Sequence, residues 1–185
     1  AIRELKEEEF KDTFREEINT KKVHVRDVVI ETDGEMLIPN NYVTSTTERF
    51  ALYHELDAIE DEDALQKFLK DMSDRFGPIP DAVNELADGL RMRWTMRVLG
   101  FERGVIKGEQ LSLFFPSNPQ ASYYESDTFK TIFQILATTK NPNLSMQKTL
   151  RNLILKAKGI HTIQDAMKFL KNLEDEIASA VQDFQ

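Results

Sequence analysis

Hydrophobic residues recur at helical spacing along much of the chain, and polar residues between them mark where each helix begins and ends. After the acidic residues 60–63, apolar side chains stand at positions 65, 68, 69, 72 and 76. This spacing places them on one face of a helix. The same spacing continues over residues 83–98 and stops at Gly100, a residue that favours helix ends. The pattern therefore predicts two consecutive amphipathic helices.

The stretch DRFGPIPDAV, residues 74–83, lies between these two helices and contains one glycine and two prolines within four positions. Gly77 is expected to be the left-handed residue that ends the first helix. Pro80 is expected in the first turn of the next helix, where its missing N–H leaves no hydrogen bond unmade. This stretch is therefore predicted to be a sharp turn.

An earlier helix is predicted to begin at Ser45, because Ser45 and Glu48 have the spacing of a capping box. In that motif the Glu48 side chain returns to the backbone N–H of the cap. The helix would direct its apolar side chains inward, namely Leu52, Tyr53, Leu56 and Ile59.

The other segments predict a mixture of strands and helices. Residues 23–32 are β-branched and favour a strand, and residues 37–43 are expected to be extended because Pro39 restricts the residue before it. Residues 101–115 predict a hairpin that turns at Lys107-Gly108-Glu109, and residues 127–139 predict a helix. Residues 150–159 fit a strand or a helix, and the Lys158-Gly159 ending favours the strand. Residues 162–184 predict the last helix.

Residues 3–18 carry Leu5, Phe10, Phe14 and Ile18 as a thin apolar stripe on a heavily charged background, which is typical of a connecting helix. With this segment, the elements predict an α+β fold. A small mixed or antiparallel sheet would pack against several amphipathic helices, preceded by an N-terminal connector helix.

Composition narrows the function classes. The chain has 185 residues and a net charge of −8, which disfavours non-specific coating of DNA by the whole chain. The absence of cysteine excludes disulfides, thiolate zinc sites and thiol nucleophiles, and is compatible with a reducing cytosol. We therefore expect a cytoplasmic protein. Because the sequence starts with Ala1 inside a charged helical pattern, we interpret it as a piece of a longer protein.

Catalytic motifs are absent from the sequence. There is no phosphate-binding loop, dinucleotide fingerprint or G-x-S-x-G serine, and His24, His54 and His161 have no metal-ligand spacing. We expect no catalytic residue, no metal site and no cofactor, and we do not expect an enzyme.

The remaining candidates are charged surfaces. Asp71, Asp74 and Arg75 stand at i, i+3 and i+4 and share one solvent-facing strip, which we call the charged ridge. An ordinary solvated face, with an Asp71–Arg75 pair worth about 0.3–0.5 kcal/mol, explains this spacing. A protein-docking ridge, whose end is fixed by the Gly-Pro turn, also explains it. The residues alone favour the solvated face.

A second candidate is basic. Arg91, Arg93 and Arg97 lie on one predicted helix, and four further basic residues follow at positions 148, 151, 156 and 158. These side chains would suit phosphate or an acidic partner. Solvation and pairing with the abundant carboxylates is the favoured interpretation.

Several motifs together resemble the C-terminal domain of the bacterial transcription-repair coupling factors, the Mfd family. They are the Ile38-Pro39 step, the Arg49-x-x-x-Tyr53 helix start, the stretch DRFGPIP, and the Leu99-Gly100 helix end. The resemblance is specific over about residues 25–115 and looser beyond.

The resemblance implies a division of the chain. Residues 1–20 would be a helical connector from a preceding translocase motor, and residues 21–185 a single α+β regulatory domain. The full-length family protein is an ATP-driven DNA translocase that removes stalled RNA polymerase and recruits the excision-repair machinery.

The resemblance also implies a partner and a site. In the family this domain docks on the UvrB-like module of the same protein, masks the surface for UvrA, and restrains ATPase and translocation. The family's docking positions correspond here to Asp71, Asp74 and Arg75, and Asp71 replaces a family glutamate. The rival interpretation is an accessory nucleic-acid-binding domain that uses Arg91, Arg93 and Arg97.

Overall fold

The computed structural model describes residues 23–183 of the chain. The helix predicted over residues 3–18, and the connector assigned to residues 1–20, lie outside the described residues.

Five α-helices and five strands follow one another in blocks along these residues. Strand β1 (Val29–Thr32) precedes three consecutive helices, α1 (Thr46–Asp57), α2 (Glu62–Phe76) and α3 (Asp81–Leu99). The strands β2 (Arg103–Lys107) and β3 (Gln110–Phe114) come next, then a short 3-10 helix (Ser122–Glu125) and α4 (Asp127–Thr138). The last three elements are β4 (Leu144–Lys148), β5 (Leu153–Lys158) and α5 (Ile163–Asp183).

The strands form one mixed sheet with the order β1-β2-β3-β5-β4. Strand β1 runs parallel to β2, and the other neighbouring pairs are antiparallel. The α+β prediction with a small mixed sheet is therefore confirmed.

Two groups of buried side chains form the interior, and α3 contributes to both. The first group lies among α1, α2 and the N-terminal half of α3, which we call the helical region. The second lies between the sheet, α4, α5 and the C-terminal half of α3, which we call the sheet region. Helix α3 buries Val83, Ala87 and Leu90 in the first group and Met92, Met96 and Leu99 in the second.

Helix starts in the helical region follow the sequence closely. Ser45 Oγ accepts a hydrogen bond from the Glu48 N–H at 3.3 Å, and Asp61 Oδ1 accepts one from the Ala64 N–H at 2.8 Å. Both predicted starts are confirmed, because a short polar side chain satisfies an N–H that the first turn leaves unpaired.

Two details of the predicted turn are wrong by a small margin. Gly77 has φ 94° and ψ −168°, a glycine conformation outside the left-handed helical region. Pro80 is the N-cap of α3 and not a first-turn residue, since its carbonyl accepts the Val83 and Asn84 N–H groups. Gly100 does adopt the predicted left-handed conformation, with φ 86° and ψ 21°.

Strand boundaries differ more from the predictions. The strand predicted over residues 23–32 begins only at Val29, because the His24 N–H donates to the Arg97 carbonyl and not to a strand. The segment predicted to be extended contains a turn, in which the Tyr42 and Val43 N–H groups both donate to the Pro39 carbonyl. Strand β4 was not predicted, since its sequence LSMQK lies at a sheet edge and remains largely exposed.

Other predictions in the sheet region are confirmed. Residues 153–158 form a strand, and the hairpin turns at Gly108 and Glu109, which both have positive φ. Helices α4 and α5 occupy almost the whole of the segments predicted for them.

Candidate protein-interaction site

The charged ridge lies on the last two turns of α2, where it flanks the buried stripe on the side that faces α1. Asp71, Asp74 and Arg75 are all exposed, whereas Leu65, Phe68 and Met72 of the same helix are buried. Residues three and four apart on a helix are neighbours on its surface. The three charges therefore form one continuous strip.

Arg75 contacts residues that the helical spacing within α2 could not predict. Its Nη2 pairs with Oε1 of Glu48 on α1, and its guanidinium carbon lies 4.7 Å from the centroid of the Phe76 ring. Glu48 was predicted to close a capping box, and its carboxylate instead joins α1 to α2. The contact keeps the Arg75 side chain against the surface and offsets its charge.

The turn after the ridge is fixed by Tyr42. The Tyr42 hydroxyl donates to the Gly77 carbonyl at 2.7 Å, and its ring packs against Phe76 with centroids 5.8 Å apart. The Gly77 N–H in turn donates to the Ser73 carbonyl at 3.0 Å. Both backbone groups of Gly77 are therefore hydrogen-bonded, and these bonds hold the end of α2, and with it the ridge, in place.

A shallow depression of about 240 Å³ adjoins the ridge, between α1 and α2. Leu52, Phe68 and Met72 supply its apolar lining, while Glu55 adds a carboxylate to those of Asp71 and Asp74. With Arg75 already paired, the rim is acidic. Such a surface is suited to accept charge-assisted hydrogen bonds from arginine or lysine side chains.

The arginines of α3 are placed differently, because two of them are paired within the helical region. Arg91 donates to both carboxylate oxygens of Glu62, at 2.8 and 2.6 Å, and to Asp88 at 2.7 Å. These bonds lower the pKa of Glu62 to about 2, and they raise the pKa of Arg91. Arg93 donates to Asp57 at 3.1 Å.

Arg97 lies one turn further along α3. Its Nε is buried and has no hydrogen-bond partner among the described residues. The three arginines therefore do not form one open basic surface, although the nucleic-acid interpretation of these residues remains a prediction.

Within residues 23–183 no cluster of three or more histidine, aspartate or glutamate side chains has the geometry of a metal site. His24 contacts the Thr128 hydroxyl at 3.3 Å, and His161 lies 3.7 Å from a Glu109 carboxylate oxygen. Over the same part of the chain, no helix is long and apolar enough to span a bilayer.

Glu48 and Tyr42 are the residues of this site that sequence reasoning missed. Both are far from α2 in the sequence, so periodicity within one helix could not identify them. The aromatic residue next to Arg75, Phe76, and the tyrosine of the segment NNYV are the signals that were available.

Comparisons with known proteins identify the family. The family model for the TRCF domain matches residues 32–126, which is slightly more than half of the chain. The transcription-repair-coupling factor of Rickettsia bellii (strain RML369-C) is 33% identical over 58 residues, or 31% of this chain. The chain matches only 5% of the length of that relative.

A solved structure titled as the C-terminal domain of transcription-repair coupling factor has a similar fold. Its TM-score is 0.60 at 14% identity, and the match covers 85% of this chain and 97% of that chain. The fold, the matched residues and the family model agree, and the chain belongs to the TRCF domain family.

Proposed function

We propose that this chain is the non-catalytic regulatory domain at the C-terminus of a transcription-repair coupling factor. The charged ridge docks on the UvrB-like module of the same full-length protein and masks the surface that UvrA would bind. Docking restrains ATPase activity and translocation. RNA polymerase and DNA are partners of the full-length protein and are affected by this domain only indirectly.

The observation that carries this proposal is the ordered and exposed ridge at the end of α2. Asp71 and Asp74 are exposed, while Arg75 is already positioned by Glu48 and Phe76. A surface whose side chains are positioned before binding loses less conformational entropy when a partner arrives. The ridge is therefore prepared for a polar interface.

A polar interface suits a domain that must both dock on its module and separate from it. Interfaces between domains that separate during function are more polar than permanent ones, and a modest coupling free energy is enough to regulate a distant site. An acidic ridge beside a small apolar depression provides such an interface with a basic surface of the module.

The direct test replaces both aspartates in the full-length protein, Asp71→Asn with Asp74→Asn. Because each substitution removes a charge while keeping the shape of the side chain, we expect docking to weaken without loss of the fold. UvrA binding and basal ATPase activity should both rise. If neither rises, the ridge is not the masking surface.

The matched control is Asp27→Asn with Asp33→Asn. These aspartates are also exposed but flank β1 in the sheet region. This double variant makes the same change in net charge, so it should leave UvrA binding and ATPase activity at the wild-type level. Binding of the 185-residue chain to the isolated UvrB-like module, with UvrA as competitor, gives an independent measurement.

A nucleic-acid-binding function is the second candidate, and one observation favours it. Residues 139–158 contain five basic side chains and no acidic one in a chain whose net charge is −8. The carboxylates paired with Arg91 and Arg93 argue against a contribution from α3. A mobility shift that weakens steeply with salt would support phosphate binding by residues 139–158.

A further inference from the structure

A second surface, unrelated to the charged ridge, lies in the sheet region. A groove of about 700 Å³ runs between α4 and the loop that joins β4 to β5. Tyr124, Phe129, Phe133 and Met146 contribute apolar surface on one side, and Leu150 and Leu153 on the other. Its volume is about three times that of the depression beside the ridge, which is about 240 Å³.

The apolar side chains of this groove are unusually open to solvent. The exposed fraction is 53% for Phe133 and 106% for Leu150, so the leucine has no shielding at all. Phe133 is nevertheless continuous with the core, since its ring centroid lies 6.3 Å from that of Phe129. Apolar side chains presented together in this way mark interaction surfaces more often than isolated ones do.

Leu150 is presented by an ordered loop. The Thr149 hydroxyl oxygen accepts the Arg151 and Asn152 N–H groups, and the Thr149 N–H donates to the Asn152 carbonyl at 2.8 Å. The loop therefore fixes the position of the leucine beside the groove. A ligand would find this wall already formed.

The rim of the groove is basic. Lys148 and Arg151 line it, and no carboxylate does so among the described residues. The surrounding residues 139–158 add three more lysines and no acidic side chain. The chemistry of the groove thus selects an acidic segment that carries large apolar side chains.

The chain itself contains such a segment outside the described residues. Phe10, Phe14 and Ile18 are spaced by four and would lie on one face of a helix. Residues 3–18 carry seven acidic side chains and four basic ones, which complements the rim. This amphipathic and acidic pattern matches both properties of the groove.

The first described residues of the chain also lie close to the groove. The His24 side chain contacts Thr128 at 3.3 Å, and its ring lies 5.1 Å from that of Tyr123. Tyr123 in turn contacts the groove residue Phe129, with ring centroids 5.6 Å apart. The segment that precedes Val23 therefore leaves two ring contacts from the groove.

We propose that residues 10–18 of this chain dock in the groove between α4 and the β4–β5 loop. Phe10 and Phe14 would fill the apolar floor against Phe133 and Leu150, and the acidic residues would face Lys148 and Arg151. Four residues separate Ile18 from Val23, and the five Cα–Cα steps between these two residues span up to about 17 Å when extended. The tether gives the segment a high effective concentration, so even weak contacts suffice.

Docking would fix the direction in which the chain enters this domain. It would therefore limit the positions that the charged ridge can take relative to residues 1–9. This docking does not require the partner proposed for the ridge.

The test uses the whole 185-residue chain and a single spin label. Because the chain contains no cysteine, Thr13→Cys gives one labelling site within the segment. We expect the label to broaden the amide NMR signals of Phe133 and of residues 150–153. In a chain that also carries Phe10→Ser and Phe14→Ser, which keep the charge, this broadening should be lost.

One variant in the groove and one control variant away from it provide a matched pair. Phe133→Ser should abolish the broadening at residues 150–153, whereas Phe50→Ser should not. Both phenylalanines are exposed, but Phe50 lies on α1 in the helical region, and neither substitution opens the core.

A mixture of labelled chain and unlabelled, isotope-enriched chain separates the remaining outcomes. Docking within one chain predicts no broadening between chains. Broadening that occurs only in the mixture would overturn the proposal in favour of a second copy. No broadening at the groove, or broadening that survives the two serine substitutions, would also overturn it.

Discussion

The helical region and the sheet region share helix α3 but differ in the contacts that link their elements. In the helical region, ion pairs join each helix to another: Arg75–Glu48, Arg91–Glu62 and Arg93–Asp57. In the sheet region, ring contacts connect residues 101, 115, 123, 124 and 129 into one aromatic cluster. The stability of the two regions should therefore respond differently to loss of charge, to acid and to loss of buried volume.

The candidate sites follow the same division. The charged ridge uses the polar surface of the helical region, and the apolar groove uses an extension of the aromatic cluster. The two surfaces can therefore be altered separately, which makes their proposed roles independently testable.

The largest effect is expected from loss of volume in the helical core. Phe68→Ala removes a buried ring and should lower the free energy of unfolding by about 3–5 kcal/mol. Because α3 carries buried residues of both groups, we expect hydrogen exchange to accelerate in β2 and β3 as well as in α1 and α2. Acceleration confined to α1 and α2 would show that the regions unfold separately, against the prediction of a single domain over residues 21–185.

The two glycines that end α2 and α3 compare the regions directly. An added Cβ at Gly100 would lie 2.0 Å from the Tyr123 ring, whereas a Cβ at Gly77 would meet open space. Both positions have positive φ, so Gly77→Ala should cost about 1–2 kcal/mol from backbone strain. Gly100→Ala should cost about 2 kcal/mol more, because the added methyl group would overpack the core of the sheet region.

Urea denaturation of the two glycine variants measures this difference. Equal losses would mean that Tyr123 can move away without cost. Its hydroxyl donates to the Leu99 carbonyl at 2.6 Å, and the side chain is buried, so we expect it to stay in place.

Acid should affect the helical region through Glu62. Its folded pKa of about 2 lies below the ordinary value of 4.5, so the unfolded chain takes up the proton first as the pH falls. The contribution of the pair is present above pH 4.5 and is lost as the pH falls towards 2. Since the Glu62 side chain is 49% exposed, this contribution should be only about 0.5–1 kcal/mol.

Denaturation at pH 5, 4 and 3 would detect this contribution. Glu62→Gln should flatten the loss of stability across the window, and Glu60→Gln, which removes the same charge two residues away, should not. An identical slope in wild-type and Glu62→Gln chains would contradict the assigned role of the Arg91–Glu62 pair.

The smallest effect on stability is expected at the ridge. Asp71→Asn with Asp74→Asn should change the free energy of unfolding by no more than about 0.5 kcal/mol, because both side chains are exposed. A thermal melt checks this directly. A larger loss of stability would show that the aspartates stabilise the fold. It would also weaken the proposal that they dock on a partner.

The helical region was predictable largely because its signals are local. The apolar positions of α2, the caps at Ser45 and Asp61, and the helix end at Gly100 all depend on residues within one or two turns. The exposure of Asp71, Asp74 and Arg75 followed from the same periodicity. Their role in docking is a proposal that rests on family membership and on the ordered ridge.

The sheet region was less predictable, since strand pairing joins residues far apart in the sequence. β1 pairs with β2 across more than seventy positions, and β4 exists because β5 offers it an edge. No local pattern marked LSMQK as a strand. The groove between α4 and the β4–β5 loop was missed for the same reason.

The helices, the acidic balance, the absence of cysteine chemistry and the family resemblance could all be inferred from the amino-acid sequence alone. The partner of each charged side chain became known only from the folded chain. Glu48 could cap its own helix or pair with Arg75, and the packing of α1 against α2 brought the arginine within reach. Local periodicity fixes the face on which a side chain lies, but its contacts depend on what folds against that face.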